Sequence, residues 1–467
     1  MRLTVSEIIA ACKGELLNGS PDSDWVITSV CTDTRKLNPP DGKSGALFIP
    51  LLGENVDGHD FIGQALTSGA VASLTEKKGL PLSSNLPFIH VASTRQALMD
   101  LAFYYRRLHD VKVVAVTGSA GKTTTKEMIA SILSRRYKTK KTLGNFNNDI
   151  GLPLSIFQLE PDDEALVLEM GMNHANEITA LSKVGAPDIA VITHIGDAHI
   201  ENFANREGIL RAKLEIVDGL HPNGTVIFNG DDPLLTGAIA NNKVKSFKAR
   251  YPNASDIIHA EPFGLTETRC LFRIDNQDIR LTVPLPGNHM VMNALLAAAV
   301  GIEIGLTPRE IADGFDTLDV PGGRLSVIRT NGMTVINDTY NANPASVEEG
   351  IKVLIRESTA ARRVCILGDM NELGHVAEER HKQLGIFAAE AGIDLLITVG
   401  PMSRETDSGF EKTKKHRQKN LYYETVGDFL PHARKLAEAG DVILVKASRG
   451  MAFEKIVNEL TKEEGSV

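Results

Sequence analysis

The chain has 467 residues, room for about three domains at ~150 residues each. Its 42% hydrophobic and 23% charged residues are the balance of a globular chain that buries its own core. The net charge of -9 excludes a broad basic face for nucleic acid, and no stretch reaches the ~18–20 apolar residues of a membrane span.

The N-terminus, "MRLTVSEIIAACKGE", lacks an apolar run long enough for a secretory signal. Ser6 and the apolar spacing after it predict a capped amphipathic helix. Cys12, Cys31, Cys270 and Cys365 are widely separated and form no CxxC or CxxH pattern, which fits a reducing compartment without a disulfide frame or zinc site. A cytoplasmic location is expected. Residues 1–108 form a first block, with short strands such as "ALFIPL" (46–51), turn-rich stretches such as "LNPPDGKSG", and a closing helix in "RQALMDLAFYYRRLH".

From residue 109 strands and helices alternate. "VKVVAVT" leads to a helix over 122–137, "EALVLEMG" to "ANEITALSKVG", and "DIAVITHIG" to "REGILRAKLEIVDGL". Aliphatic strands separated by helices predict a parallel sheet covered on both faces. Three β runs follow, near 256–262, 268–275 and 278–285, and then the helix "HMVMNALLAAAVGIEIG". A third block starts at Pro321 and alternates again through "MTVIND", "RRVCILGDM", "DLLITVG" and "DVILVKAS". The expected domains are 1–108, 109–320 and 321–467. The basic run "KTKKHRQK" reads as a solvated loop.

"TGSAGKTT" joins a buried strand to a helix, the setting of a phosphate-binding loop. Gly118, Ser119, Ala120 and Gly121 would bring backbone N–H groups to the phosphates. Lys122 would neutralise the outer phosphates, Thr123 would hold Mg²⁺ and Thr124 completes the loop. The usual first glycine is replaced by Val116, still within the strand, so the loop is a tighter variant. Ligands bind beyond the carboxyl ends of such strands. Glu169 ends one strand, where a buried carboxylate requires a partner or a metal; His199 follows another. Lys213 lies on the next helix and is by itself an ordinary charged residue.

Together "TGSAGKTTTKEM", "LEMGMNHANEI", "THIGDAHIENF", "RAKLEI", "PGNHMVMNALLAAA", "PGGRLSVI" and "NDTYNANPAS" resemble the Mur ligases, which extend the UDP-linked peptide precursor of the bacterial cell wall. The resemblance implies three α/β domains: a small mixed UDP-binding domain, a central parallel-sheet P-loop ATPase domain and a C-terminal Rossmann-like domain. It implies ATP, two Mg²⁺ sites and an acyl-phosphate intermediate. "NDTYNANPAS" and "LGDMNELG" point to the branch whose substrates are UDP-N-acetylmuramoyl-tripeptide and D-alanyl-D-alanine.

By the same resemblance, Thr123 and Glu169 hold one Mg²⁺, while Glu169, His199 and a carbamylated Lys213 surround the second. Asn288 and His289 lie near adenine with Asn293 in support, Arg324 reaches the γ-phosphate, and Asp338 holds the ribose. Asn341 and Asn343 lie near the amine or the adenine edge, or only form a turn. Asp33, Arg35, Asn55 and His59 are candidates for UDP, with a structural Asp33–Arg35 ion pair as the alternative. Asn145, Asn147 and Asn148 offer amides to the peptide or sugar, or serve a turn. For Lys213 the alternative is a plain ion pair. His194 stands where the family usually carries asparagine. A monomer is expected. A sibling ligase adding a single amino acid, and a nucleotide-dependent regulator that joins nothing, remain as rival readings.

Overall fold

The computed structural model describes residues 1–21, 24–79, 85–240, 248–250, 252–320 and 322–462. Pro321, where the third block was placed, lies outside the described residues. The first helix, Val5–Cys12, is capped by Thr4 and not by Ser6. The Glu7 amide donates to Thr4 Oγ1 at 3.2 Å, and the Thr4 amide donates to Glu7 Oε2 at 2.7 Å. This reciprocal box needs the carboxylate three residues after the cap, and only Thr4 has one at that spacing.

The N-terminal sheet runs Leu3–Thr4, Val26–Cys31, Ser44–Phe48, Ala70–Thr75, Phe88–His90, Glu15–Asn18. Its four central strands are parallel and its two edges antiparallel. The closing helix, Thr94–Arg107, buries Leu98, Leu101, Ala102 and Tyr105, the three-and-four spacing of one helix face.

The central sheet has the strand order Lys248–Arg250, Thr225–Phe228, Ile189–Ile192, Lys112–Thr117, Ala165–Glu169, Thr139–Lys141. Val113–Val116 and Leu166–Leu168 are fully buried, as aliphatic strands covered on both faces must be. One boundary moves and one strand is new. The helix after the loop stops at Leu133. Thr139–Lys141 is a parallel edge strand beside Ala165–Glu169, whose polar residues carry no strand signal of their own. The three β runs form an antiparallel sheet, Ile257–Phe263, Glu267–Ile274 and Gln277–Val283.

The C-terminal sheet has the order Ser326–Thr330, Met333–Asn337, Asp441–Lys446, Arg362–Gly368, Leu395–Val399, Lys419–Tyr423. Only its first pair is antiparallel. Within the basic run, Gln418 is buried and its amide donates to the carbonyls of Ala389 and Ile393, so that loop is tied down at one point. The four cysteines are buried and unpaired; burial pushes the thiols of Cys12 and Cys270 up to about 12.

Two compact units emerge. One comprises Met1–Val116, Tyr137–Ala190 and Glu215–Thr225; the other comprises Thr117–Arg136, Val191–Leu214 and Val226–Val467.

In the second unit, helices Ala377–Glu390 and Ser403–Thr413 meet backbone to backbone. A Cβ on Gly385 would lie 1.9 Å from the Thr406 carbonyl oxygen, and one on Gly409 would lie 2.2 Å from that of Lys382. Neither obstacle is a side chain that can swing away, so the helices themselves must part. Gly385→Ala is therefore expected to destabilise the protein by about 1–3 kcal/mol, the usual cost of overpacking, read as a lower denaturant midpoint. An unchanged midpoint would show that this helix pair separates freely.

Candidate active site

Strand Lys112–Thr117 delivers the loop to helix Lys122–Leu133. Gly118 and Gly121 have φ of 148° and 81°. A Cβ on Gly118 would lie 2.0 Å from Thr193 Oγ1, and one on Gly121 would lie 2.7 Å from Asn293 Oδ1. Conformation and surroundings both demand glycine. Neighbouring segments brace the loop. The Ser119 amide donates to the His194 carbonyl at 2.8 Å, Ser119 Oγ donates to the Gly196 carbonyl at 3.3 Å, and the Thr193 hydroxyl donates to the Ala120 carbonyl. The helix has no side-chain cap at Gly121, and its first-turn amides and dipole make an anion receptor.

Two cations rest on this loop. Lys122 Nζ donates to the Gly118 carbonyl at 2.8 Å, and Arg324 Nη2 donates to Thr123 Oγ1 at 2.9 Å. The Arg324 guanidinium also lies 3.8 Å from the centroid of the Tyr340 ring, a cation–π contact. Its Nε is buried without a hydrogen-bond partner. Asn293 is 7% exposed and its amide abuts Gly121. The sequence reading set Arg324 at the γ-phosphate and Asn293 in support of adenine; the structure places both beside the loop.

The remaining nucleotide candidates are held by side chains that the sequence reading did not single out. Asp338 Oδ2 lies 2.5 Å from Lys446 Nζ, and its Oδ1 accepts the Leu325 amide at 3.3 Å. Lys446 is 3% exposed and also donates to the Asn341 carbonyl at 3.0 Å. Asn341 Oδ1 accepts the Ala342 amide at 2.9 Å. Asn343 caps helix Pro344–Arg356 through a box with Ser346, the turn-forming alternative. His289 Nδ1 lies 3.3 Å from Glu349 Oε2; the hydrogen bond from His289, more than the charge of Lys352, holds that carboxyl down at about 2. Asn288 Oδ1 accepts from Arg356 Nη2 at 3.1 Å.

His199 follows strand Ile189–Ile192 in a left-handed conformation, φ 63°. Its Nδ1 lies 2.7 Å from Glu372 Oε2, and the close imidazole keeps the Glu372 carboxyl below the usual range. Asp197, buried, faces both Arg206 and Arg380, each at 2.9 Å. Lys213, on helix Arg206–Leu214, is fully buried. His194 Nδ1 lies 2.9 Å from Asp232 Oδ2. Glu372, Asp232, Lys446 and Tyr340 are separated in sequence from the groups they hold, so no spacing pattern marks them.

In the other unit, Glu169 closes strand Ala165–Glu169, opposite Val116 in the parallel register, and is 2% exposed. Its amide donates to Thr142 Oγ1 and its Oε1 accepts from Asn147 Nδ2, both at 3.0 Å. Asn148 Oδ1 accepts the Gly151 amide at 2.8 Å, and the Asn145 carbonyl accepts the Asn147 amide at 2.7 Å. Arg35 grips Asp33 through Nε at 2.9 Å and Nη2 at 2.8 Å, which pulls the Asp33 carboxyl down to about 2. The ion-pair alternative is thus present, with the Arg35 side chain 85% exposed. Asn55 is exposed. His59 is buried, its Nδ1 2.7 Å from Asp57 Oδ1 and its Nε2 accepting the Glu76 amide at 3.0 Å. Both of its ring nitrogens serve the fold. The acidic cluster Glu160, Asp162 and Asp163 is paired with Lys138 and Lys140.

Three family models match the chain: the Mur ligase family catalytic domain over residues 26–106, the Mur ligase middle domain over 116–301 and the Mur ligase glutamate ligase domain over 323–449. A UDP-N-acetylmuramoyl-tripeptide–D-alanyl-D-alanine ligase of Bacillus subtilis is 39% identical over 463 residues, 98% of each chain. A MurF crystal structure from Acinetobacter baumannii matches with a TM-score of 0.89 at 30% identity, covering 98% of this chain and 99% of that one. A MurF ligase from Thermotoga maritima, solved in complex with ADP, matches with a TM-score of 0.80 at 27% identity over 92% of this chain and 96% of that one.

The loop geometry has a direct consequence. Gly121→Ala strains a positive φ and drives a methyl group against Asn293. Strain of ~1–3 kcal/mol is expected to weaken ATP binding about tenfold or more in a titration, while the protein stays folded. Unchanged affinity would separate the loop from phosphate binding.

Proposed function

The chain belongs to the Mur ligase family, and on that premise we propose that it joins D-alanyl-D-alanine to UDP-N-acetylmuramoyl-tripeptide. ATP is converted to ADP and phosphate, and the product is UDP-N-acetylmuramoyl-pentapeptide. The observation that carries the reading is 39% identity, over 98% of both chains, with a ligase of that name. The loop with two cations parked on its own oxygens supplies the chemistry.

A carboxylate oxygen of the tripeptide attacks the γ-phosphorus and ADP leaves, giving an acyl phosphate. The dipeptide amine then attacks the acyl carbon, and the tetrahedral intermediate expels phosphate. The first step brings two anions together, so positioned positive charge carries most of the rate. Lys122 and Arg324 supply it by exchanging their bonds to Gly118 and Thr123 for phosphate oxygens. Tyr340, 3.8 Å beneath the Arg324 guanidinium, supports it. Asn293 packs against Gly121, while Asn288 and His289 lie on the same helix for adenine. Asp338, held by Lys446, is placed for the ribose.

Two Mg²⁺ ions belong to this reading. Thr123 and Glu169 would hold one; Glu169, His199 and a carbamylated Lys213 would hold the other. The donors fit: hydroxyl and carboxylate oxygens suit a hard cation. Glu169 is a nearly fully buried carboxylate, and a carbamate on the buried Lys213 would replace an ammonium with anionic oxygens. When bound, Mg²⁺ neutralises phosphate charge and fixes the substrate carboxylate. Asp33, Arg35 and Asn55 are assigned to the UDP end, Asn145, Asn147 and Asn148 to the peptide or sugar, and Asn341 to the amine side. The domains are taken as 1–108, 109–320 and 321–467. The enzyme is taken as a cytoplasmic monomer; no helix among the described residues is long and apolar enough to cross a membrane.

The test is phosphate release from MgATP with UDP-N-acetylmuramoyl-tripeptide, comparing D-alanyl-D-alanine, single amino acids and no amine, with the nucleotide product weighed by mass spectrometry. Release and pentapeptide are expected only with the dipeptide. Release without amine would mean a hydrolase, and a single-residue product a sibling ligase. Lys122→Ala should lower turnover by about 10³-fold or more, the scale of a transition-state charge contact; a loss under about tenfold would refute the loop assignment. Lys213→Ala should abolish activity, with partial rescue by short carboxylic acids; full activity in that variant would exclude the carbamate.

A further inference from the structure

His194 is where this chain departs from the asparagine usual in the family, and its surroundings are built rather than incidental. Its carbonyl accepts the Ser119 amide of the phosphate loop at 2.8 Å. Its ring is fixed from behind, with Nδ1 2.9 Å from Asp232 Oδ2. Asp232 is itself immobilised. Its Oδ2 accepts the Ile195 amide at 2.9 Å, and its Oδ1 accepts the amides of Leu234 and Leu235 at 3.0 and 3.2 Å. Burial alone would raise that carboxyl, but the bonds from His194 and the backbone outweigh it and hold it low, so Asp232 stays an anion.

The other ring nitrogen lies beside Gly196, which also adjoins the loop. A Cβ on Gly196 would lie 3.3 Å from His194 Nε2 and 3.6 Å from Ser119 Cβ. The imidazole edge and the phosphate loop therefore share the bare flank of one glycine. The His194 side chain is 41% exposed, so a ligand can reach the ring. In an imidazolium both nitrogens donate; Asp232 takes Nδ1–H, which leaves Nε2–H for an anion.

We propose that His194 is a phosphate-binding residue of the nucleotide site, oriented by Asp232 and donating Nε2–H to a terminal phosphate oxygen of ATP. This rests on the ATP-dependent reading above and deepens it. The family's asparagine can donate from a neutral amide; a protonated histidine at this position would donate with a charge-assisted bond. It gives the site a third donor side chain beside Lys122 and Arg324, one that reaches the loop from the strand Ile189–Ile192 side and not from the helix or the third domain.

The test uses the full-length protein, with titration of the magnesium complex of a non-hydrolysable ATP analogue and, separately, of adenosine. His194→Ala should weaken the analogue about tenfold, the scale of one charge-assisted hydrogen bond, and leave adenosine unchanged. Equal affinity of wild type and variant for the analogue would overturn the proposal. So would an equal loss for adenosine, because the defect would then lie in the fold of the site and not in a phosphate contact. If the wild type binds neither ligand, the nucleotide reading itself fails, a result distinct from both.

Discussion

Everything at the candidate site depends on one short piece of backbone, residues 118–121, being held where L side chains do not fit. Gly118 and Gly121 have positive φ and stand hard against Thr193 and Asn293. The strand end that carries Thr193 and His194 fastens the loop from one side, and the helix bearing Asn293 closes the other. An anion receptor built from amides works only if those amides are fixed before the ligand arrives, since otherwise binding would have to order them. The central sheet provides that fixity: strand Lys112–Thr117 is buried from Val113 to Thr117, close-packed on both sides.

Onto this frame the chain places charges in pairs. Lys122 and Arg324 rest on loop oxygens, Lys446 on Asp338, and Arg206 with Arg380 on Asp197. A buried charge costs several kcal/mol unless a partner satisfies it, so each pair fixes a geometry as much as it adds stability. Lys122 and Arg324 each donate to a neutral loop oxygen, a carbonyl and a hydroxyl. Such bonds are weaker than bonds to an anion, and a phosphate can take over both cations. The ion pairs of Lys446 and of Arg206 with Arg380 hold their carboxylates in place by the same rule. His199 with Glu372 and His194 with Asp232 repeat the theme with imidazoles: a carboxylate on Nδ1 sets the ring and leaves Nε2 to point elsewhere.

The sequence carried the architecture because the architecture is periodic. Aliphatic runs such as Val113–Val116, glycines at the ends of helices and the glycine–lysine loop are local signals that do not depend on distant neighbours. They marked the parallel sheets, the three antiparallel runs near 257–283 and the phosphate loop. They misplaced the first cap, where Thr4 won because only it has a glutamate three residues on. They also missed strand Thr139–Lys141, which exists because Ala165–Glu169 offers it an edge. The family resemblance set Arg324 at the γ-phosphate and Asn293 in support of adenine; both lie beside the loop, although neither position is special by spacing alone.

What residue order determined by itself was most of the elements, the glycine–lysine loop between strand and helix, and the family to which the chain belongs. What only the tertiary structure decided was which side chain holds which. Glu372 meets His199, Asp232 meets His194, Lys446 meets Asp338 and Tyr340 lies under Arg324. Asn343 is spent on a helix cap, and both ring nitrogens of His59 are spent on its own domain. The physical reason is range. Helix caps, strand periods and glycine turns are fixed by residues a few positions apart, whereas a carboxylate is paired with an imidazole tens or hundreds of positions away only when packed sheets bring them within hydrogen-bonding distance.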